Sequence, residues 1–323
     1  MAQIILIGIG AGVAAALLFA SATMGGLLSS VLFLLAPLPI MIVALGWSHW
    51  VGLVATAVAA AGLAAIFGTA FALFFLIGLG LPAWWLGYLA LLARPVAAAP
   101  SLEWYPVGNL VLWAAVLGAL VVVAAIPQFG TDEDTFRTAL RNGFERAIRL
   151  QAGTPADAPL ELPGISDPKR VIDVMVLVTP PFAALFATFT NLIDLWLAGR
   201  IVKTSGRLKR PWPDIMAMKF PPYAVALFAL AVAGSFLAGL PGVMSGVLAA
   251  TMLLAYTVLG FAVLHAISRN MASRGLVLTG AYALVIVFGW PMLVMTLLGL
   301  ADSALDLRAR AATKGGPPAQ GKS

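Results

Sequence analysis

Cysteine is missing from all 323 residues, which excludes disulfide frameworks, thiol nucleophiles and cysteine-ligated metals. Histidine is almost missing too. With only His49 and His265, the chain cannot assemble three or four imidazole and thiolate ligands for a zinc site of the usual kind, and no cofactor is expected. Charge is the next scarcity. Asp, Glu, Lys and Arg make up 10% of the chain, and none occurs before Arg94, whereas a soluble domain carries about 25%. A surface with so few ionised groups does not stay in water. Bilayer hydrocarbon about 30 Å thick is crossed by ~20 apolar residues per helix, so the uncharged block holds several spans. The Met-Ala-Gln start lacks the basic segment of a secretory signal, and the apolar run after it is too long for one. It is expected to remain as the first span.

What is present is 62% hydrophobic, with a mean hydropathy of +1.01. Hydropathy and Gly/Pro punctuation mark nine candidate segments: Gln3–Ala22, Leu27–Gly46, Trp50–Phe67, Ala70–Ala93, Val107–Ile126, Ile172–Ala198, Pro222–Leu240, Gly242–Ile267 and Leu276–Leu300. The fold class is therefore all-α, a polytopic transmembrane helical bundle of about eight or nine spans with one amphipathic interfacial helix. Residues 1–126 form an N-terminal bundle, 127–171 a polar insertion, 172–300 a C-terminal bundle and 301–323 a flexible polar tail.

Within the insertion, Phe136, Leu140, Phe144 and Ile148 recur every four residues across Asp132–Leu150. That is the period of an amphipathic helix, lying along the membrane interface or packing on the protein's own loops. Gly153 is a plausible stop, and Gln151–Pro168 reads as a flexible linker. A second polar stretch, Gly199–Pro221, sets Arg200, Lys203, Arg207, Lys209, Arg210 and Lys219 against the single acid Asp214. Basic residues in short loops mark the cytoplasmic side. The net charge of +6 is thus accounted for by membrane orientation, and nucleic acid is not an expected partner. Nine crossings would put the polar tail on the opposite side from this loop, which conflicts with the tail's own basic residues. The Pro180-Pro181 pair makes Ile172–Ala198 the expected site of a broken or re-entrant segment.

Catalytic signatures fail on geometry. Gly10-Ala-Gly12-Val-Ala-Ala15 matches a dinucleotide fingerprint, but that motif needs a preceding strand and an acid about 20 residues on, and the first acid is Glu103. Ser245 and His265 lie on one segment about 30 Å apart at 1.5 Å per residue, beyond the reach of a nucleophile and its base. No enzyme activity is expected. His265 reads as a boundary histidine beside Arg269, and Asp173 as the start of a span.

The remaining polar candidates are few. Asn191 and Asp194 are three apart and share a helix face. Intramembrane ionisable groups are costly and point to function, so the pair is a candidate solute site; pairing of Asp194 with Arg200 or Lys203 at the membrane boundary is the structural alternative. Trp84 and Trp85 follow a Gly78-x-Gly80-x-Pro82 break and could border a cavity, or belong to an interfacial belt. Pro37-x-Pro39 and Gly289-Trp290-Pro291 are further breaks. Gly8, Gly12, Ala16 and Ala20 form a small-residue stripe for close helix approach, within the chain or to another membrane subunit. Gly52, Thr56, Ala60, Ala64 and Gly68 form a second.

The segment Asn191-Leu-Ile-Asp-Leu-Trp-Leu-Ala-Gly-Arg200, continuing through Ser205-Gly-Arg-Leu-Lys-Arg-Pro-Trp-Pro-Asp214 to Phe220-Pro221, resembles the YybS-like family of bacterial multi-pass membrane proteins. That family is in turn remotely similar to the substrate-binding S components of energy-coupling factor transporters, which dock on a partner through small residues of their first span. The resemblance implies a bacterial inner-membrane protein whose partners are the bilayer and another membrane subunit, with Gly8, Gly12, Ala16 and Ala20 as the docking stripe. It implies solute binding for uptake. The alternative function is a structural or regulatory membrane protein that uses the Arg200–Arg210 loop and the amphipathic helix as contacts. The chain departs from the S-component pattern in its extra spans and its polar insertion.

Overall fold

The computed structural model describes residues 2–95, 102–153, 155 and 167–314, with the backbone alone for 311–314. The described part of the expected linker is small, since residues 156–166 fall outside it. The N-terminal helices are α1 (Ala2–Ala20), α2 (Leu27–Leu34), α3 (Leu38–Gly46), α4 (His49–Phe67), α5 (Thr69–Phe75), α6 (Leu81–Ala90) and α7 (Val107–Ala125). A two-strand hairpin, β1 (Ala93–Pro95) with β2 (Leu102–Trp104), links α6 to α7 and carries the Arg94–Glu103 ion pair. Then come α8 (Glu133–Ala152), α9 (Pro168–Thr204), α10 (Tyr223–Gly234), α11 (Leu240–Ile267), α12 (Arg274–Phe288), α13 (Met292–Leu305) and α14 (Leu307–Lys314).

Seven helical segments are long and apolar enough to cross a membrane: 2–24, 27–46, 49–67, 69–90, 107–128, 168–204 and 240–267. Their apolar character on nearly every face is what lipid on one side and protein on the other require. Gly68, at φ 92°, separates α4 from α5 where a side chain would be strained. One core cluster joins α1, α3, α4, α6 and the start of α7 to Ala198 and Val202 of α9. A second joins α7, α10 and α11, and Leu192 of α9 packs against both.

Four expected features differ. Pro180 and Pro181 do not break the sixth segment: α9 runs unbroken for 37 residues, about 55 Å, because the penalty of a missing amide is local and the flanking turns are held by packing on α7 and α11. The expected ninth span is instead divided. Gly289 adopts φ 69°, and α12 and α13, at 15 and 14 residues, each reach only about 22 Å. Both legs rest on one stretch of α11: Tyr282 of α12 stacks on Phe261 at 4.3 Å, while Thr296 of α13 meets Thr257 at 2.9 Å. The expected seventh span, Pro222–Leu240, shrinks to the 12 residues of α10. The tail, expected to be flexible from residue 301, starts as the last turns of α13 and continues as α14.

Contacts fix the ends of the bundle. The Lys209 ammonium reaches the Trp47 carbonyl at 3.5 Å, and the Arg210 guanidinium donates to the carbonyls of Ala90 at 3.2 Å and Tyr105 at 3.0 Å. Arg308 donates to the Met216 and Met218 carbonyls at 2.7 and 2.8 Å. The basic loop, the α3–α4 and α6–α7 connections and the start of the tail therefore share one end. Gly8 lies against Val51 and Gly12 against Ala55, so α1 runs parallel to α4 and starts at that end too. At the opposite end Glu133 accepts from the Gly239 amide at 2.7 Å, and Arg141 of α8 pairs with Asp173. The conflict over the tail disappears because the divided ninth segment returns the chain to the basic end.

Reporter fusions after Lys209 and Lys314 are accordingly expected to give the same cytoplasmic signal, and a fusion after Pro127 the opposite one. Signals placing Lys209 and Lys314 in different compartments would refute this arrangement.

The amphipathic helix exists with its expected start. Asp132 caps α8, its carboxylate accepting from the Thr135 amide at 2.9 Å. Those Thr135 bonds hold the Asp132 carboxyl below its ordinary value. Phe136 is buried, and α8 packs on α9.

Candidate functional site

Two polar features among the described residues are candidates for function. The first is a stripe on α9. Ala184, Thr188, Asn191, Asp194, Ala198 and Val202 are all buried, at spacings of three and four that place them on one face. Gly118 of α7 sits over Thr188, with no room there for a side chain, and the Thr188 hydroxyl satisfies itself on the Ala184 carbonyl at 2.9 Å. Asp194 is 1% exposed, and its Oδ2 has no hydrogen-bond partner. It lies ten residues, about 15 Å, inside the end of the helix.

The expected boundary pairing of Asp194 with Arg200 or Lys203 does not form. At about 100° per residue, Arg200 stands ~120° round the helix from Asp194 and Lys203 ~180°, so neither cation shares its face of α9. They stand over tryptophans instead: Arg200 lies 5.4 Å from the Trp212 ring and 5.9 Å from Trp196, and Lys203 lies 4.9 Å from Trp212.

Trp84 and Trp85 belong to a different cluster. The Trp84 indole donates to the His49 carbonyl at 3.1 Å, and Trp85 meets Trp113 edge-on at 5.5 Å. Trp113 donates to the Tyr105 hydroxyl at 3.1 Å. This aromatic cluster ties α4, α6 and α7 together, and no described hydrogen bond or ring contact joins it to Asn191 or Asp194. The Gly78-x-Gly80-x-Pro82 motif is a π-helical turn at Leu76–Gly80 rather than a break. Thr56 of α4 reaches its Gly80 carbonyl at 3.4 Å.

The small-residue stripe of α1 is occupied from within. A Cβ on Gly12 would lie 2.5 Å from the Ala55 carbonyl oxygen, and one on Gly8 3.2 Å from that of Val51. Ala16 and Ala20 pack against the same N-terminal core. The groove at Gly8 and Gly12 is thus filled by α4 of the same chain.

The second polar feature is the basic end. Arg200, Lys203, Arg207, Lys209 and Arg210 have no carboxylate partner in the ion pairs of the described residues, which join Arg94–Glu103, Arg137–Glu133, Arg141–Asp173, Lys219–Asp306 and Arg308–Asp302. Arg207 sits 4.5 Å over Trp47. Burial pushes the Arg210 guanidinium below its ordinary value, and its Nε has no acceptor. Sequence reasoning missed the buried Arg308–Asp302 pair, having placed both residues in a loose tail. The apolar pattern running on through Leu305 was the available sign that α13 continues there.

Seven helical segments of bilayer length, many exposed large hydrophobic side chains and charge confined mostly to the two ends define a polytopic helical membrane protein. The family described as "Predicted membrane protein (DUF2232)" matches residues 13–303, and the chain belongs to it. This accords with the YybS-like resemblance. No curated protein and no solved structure matches the chain.

Proposed function

We propose that the protein is a non-enzymatic, solute-binding subunit of the bacterial inner membrane, resembling an S component, which takes a small cationic solute at Asp194 and Asn191 and works with a membrane partner in uptake. The observation that carries this reading is the Asp194 carboxylate, buried between helices with an oxygen that no protein group meets. A lone charge in that position is costly, and a cation from outside the chain compensates it. The reading as a non-enzyme is supported by the separation of the remaining nucleophile and base: His265 meets the Tyr282 hydroxyl at 3.0 Å, while Ser245 lies against Gly234.

The test is mass spectrometry of small molecules released from protein purified in gentle detergent, with a search for a co-purifying ATPase pair and coupling subunit. A cationic solute is expected at stoichiometric levels with wild type and at roughly ten- to hundredfold lower occupancy with Asp194→Asn, the loss of one charged contact. Preparations of both proteins that carry no solute and no partner would defeat the proposal.

A second reading, a structural or regulatory membrane protein acting through its basic end, is favoured by the five cations without carboxylate partners. Replacing that loop's charges would then affect its contacts and leave any bound solute untouched.

A further inference from the structure

We infer that the cavity at the basic end is a binding site for a single anionic phospholipid, with an acyl chain between the helices and the phosphate at Arg210. The inference sharpens the second reading above and does not depend on Asp194.

A cavity of about 220 Å³ lies between α7, α9, α11 and the loop after α9. Its walls are almost wholly apolar, with Leu110, Val111, Leu192, Leu195 and Val258 among them, and Arg210 is its one charged group. Trp196, 52% exposed, and Ile215, 44% exposed, carry the lining out to the protein surface. Inside a bilayer that surface faces lipid, so the mouth opens sideways to acyl chains. An apolar void forfeits dispersion contacts along every wall, and a chain restores them. A water-soluble anion would find nothing to match those walls.

The guanidinium supplies the other half of the ligand's chemistry. Two of its nitrogens are held by the Ala90 and Tyr105 carbonyls, which fix its position but leave its charge unbalanced. The Nε donor is buried and has no acceptor. Arg200 and Lys203 stand over Trp212, which also lines the cavity, so three cations gather at one rim. The nearby Asp214 carboxylate accepts from the Met216 amide and forms no ion pair with them among the described residues. A phosphate oxygen accepts from such donors through charge-assisted bonds. Basic pockets between helices on the cytoplasmic side select anionic headgroups for the same reason. A zwitterionic lipid would bring its own cation to a site already rich in them.

The test uses delipidated full-length protein in neutral detergent, titrated with dioleoyl phosphatidylglycerol, with phosphatidylcholine of the same chains, and with glycerol 3-phosphate, and read by native mass spectrometry. One phosphatidylglycerol is expected per chain, bound about tenfold tighter than phosphatidylcholine, with no binding of glycerol 3-phosphate in the same range. Arg210→Gln should abolish the headgroup preference. Because Arg210 also ties two loops, Lys203→Gln, which should weaken the preference, and Val258→Trp, which should fill the cavity and weaken both lipids alike, keep the test decisive if Arg210→Gln does not fold. Asp194→Asn should keep the full preference, so failure of the solute reading and failure of this one are separable. Equal binding of the two lipids would overturn the inference. So would glycerol 3-phosphate binding as tightly as the lipid, which would mark a site for a soluble anion, or an unaltered preference in folded Arg210→Gln.

Discussion

Arg308→Ala is expected to cost about 3–5 kcal/mol of stability, the range for breaking one side of a buried ion pair. The Arg308 side chain is 11% exposed and that of Asp302 3%. Asp302 accepts from Arg308 Nη2 at 2.6 Å, from its Nε at 3.0 Å and from its amide at 3.1 Å. The remaining Arg308 nitrogen serves the carbonyls of Met216 and Met218. Alanine would therefore strand a buried carboxylate and two carbonyls at once. Thermal melts in detergent should drop accordingly, and trypsin should cut at Arg310 much sooner. The double variant Arg308→Met with Asp302→Leu should recover part of the loss, because no buried charge is left unpaired, although the Met216 and Met218 carbonyls still lose their donor. By contrast, the neighbouring Lys219–Asp306 pair at 3.3 Å is solvent-exposed and should contribute little. A melt of Arg308→Ala equal to wild type would show that the tail is not clasped in this way.

The second large effect is expected at the crossing of α11 and α13. A Cβ at Gly260 would lie 1.8 Å from the Met295 carbonyl oxygen, and one at Gly299 2.5 Å from that of Tyr256. Both obstacles are backbone, so no rotamer change makes room. Gly260→Val should force the helices apart, break the Thr257–Thr296 contact and destabilise the protein by roughly 3 kcal/mol or more. Yield of monodisperse protein and melting temperature both report it. Gly280 of α12 has no heavy atom within 4 Å of its would-be Cβ, and Gly280→Ala should be neutral or slightly stabilising. Equal behaviour of the two variants would mean that the crossing is looser than described.

Much of this architecture was legible because hydropathy reports the solvent directly. The boundaries of α4, α7 and α11 fall within two residues of those read from the sequence, and α8 announced itself by its four-residue period. What hydropathy cannot report is direction. Leu276–Leu300 has the length and composition of a span, yet Gly289 turns it back, and only the contacts of Tyr282 and Thr296 with α11 reveal that both legs share one support. The proline pair misled for a related reason: Pro180-Pro181 removes two amide donors, but whether the helix breaks depends on neighbours far away in sequence. Small-residue stripes told where helices approach closely and not which helices. Gly12→Leu, a natural probe of partner docking if the stripe were free, is now expected to wedge α1 from α4 and lower stability instead. At the candidate sites, the sequence singled out Asn191, Asp194 and the basic loop. The helical period alone sets Arg200 and Lys203 off the Asp194 face, but it could not show that Arg210 turns inward to the Ala90 and Tyr105 carbonyls.

At 37 residues, α9 exceeds the ~30 Å thickness of the hydrocarbon by nearly as much again. One end bears Asp173, salt-bridged to α8, and the other bears Arg200 and Lys203 over Trp212. A single strut thus spans both aqueous margins, and a tilt imposed by α8 at one margin displaces the guanidinium and ammonium at the other in the opposite sense, as a lever does about its pivot.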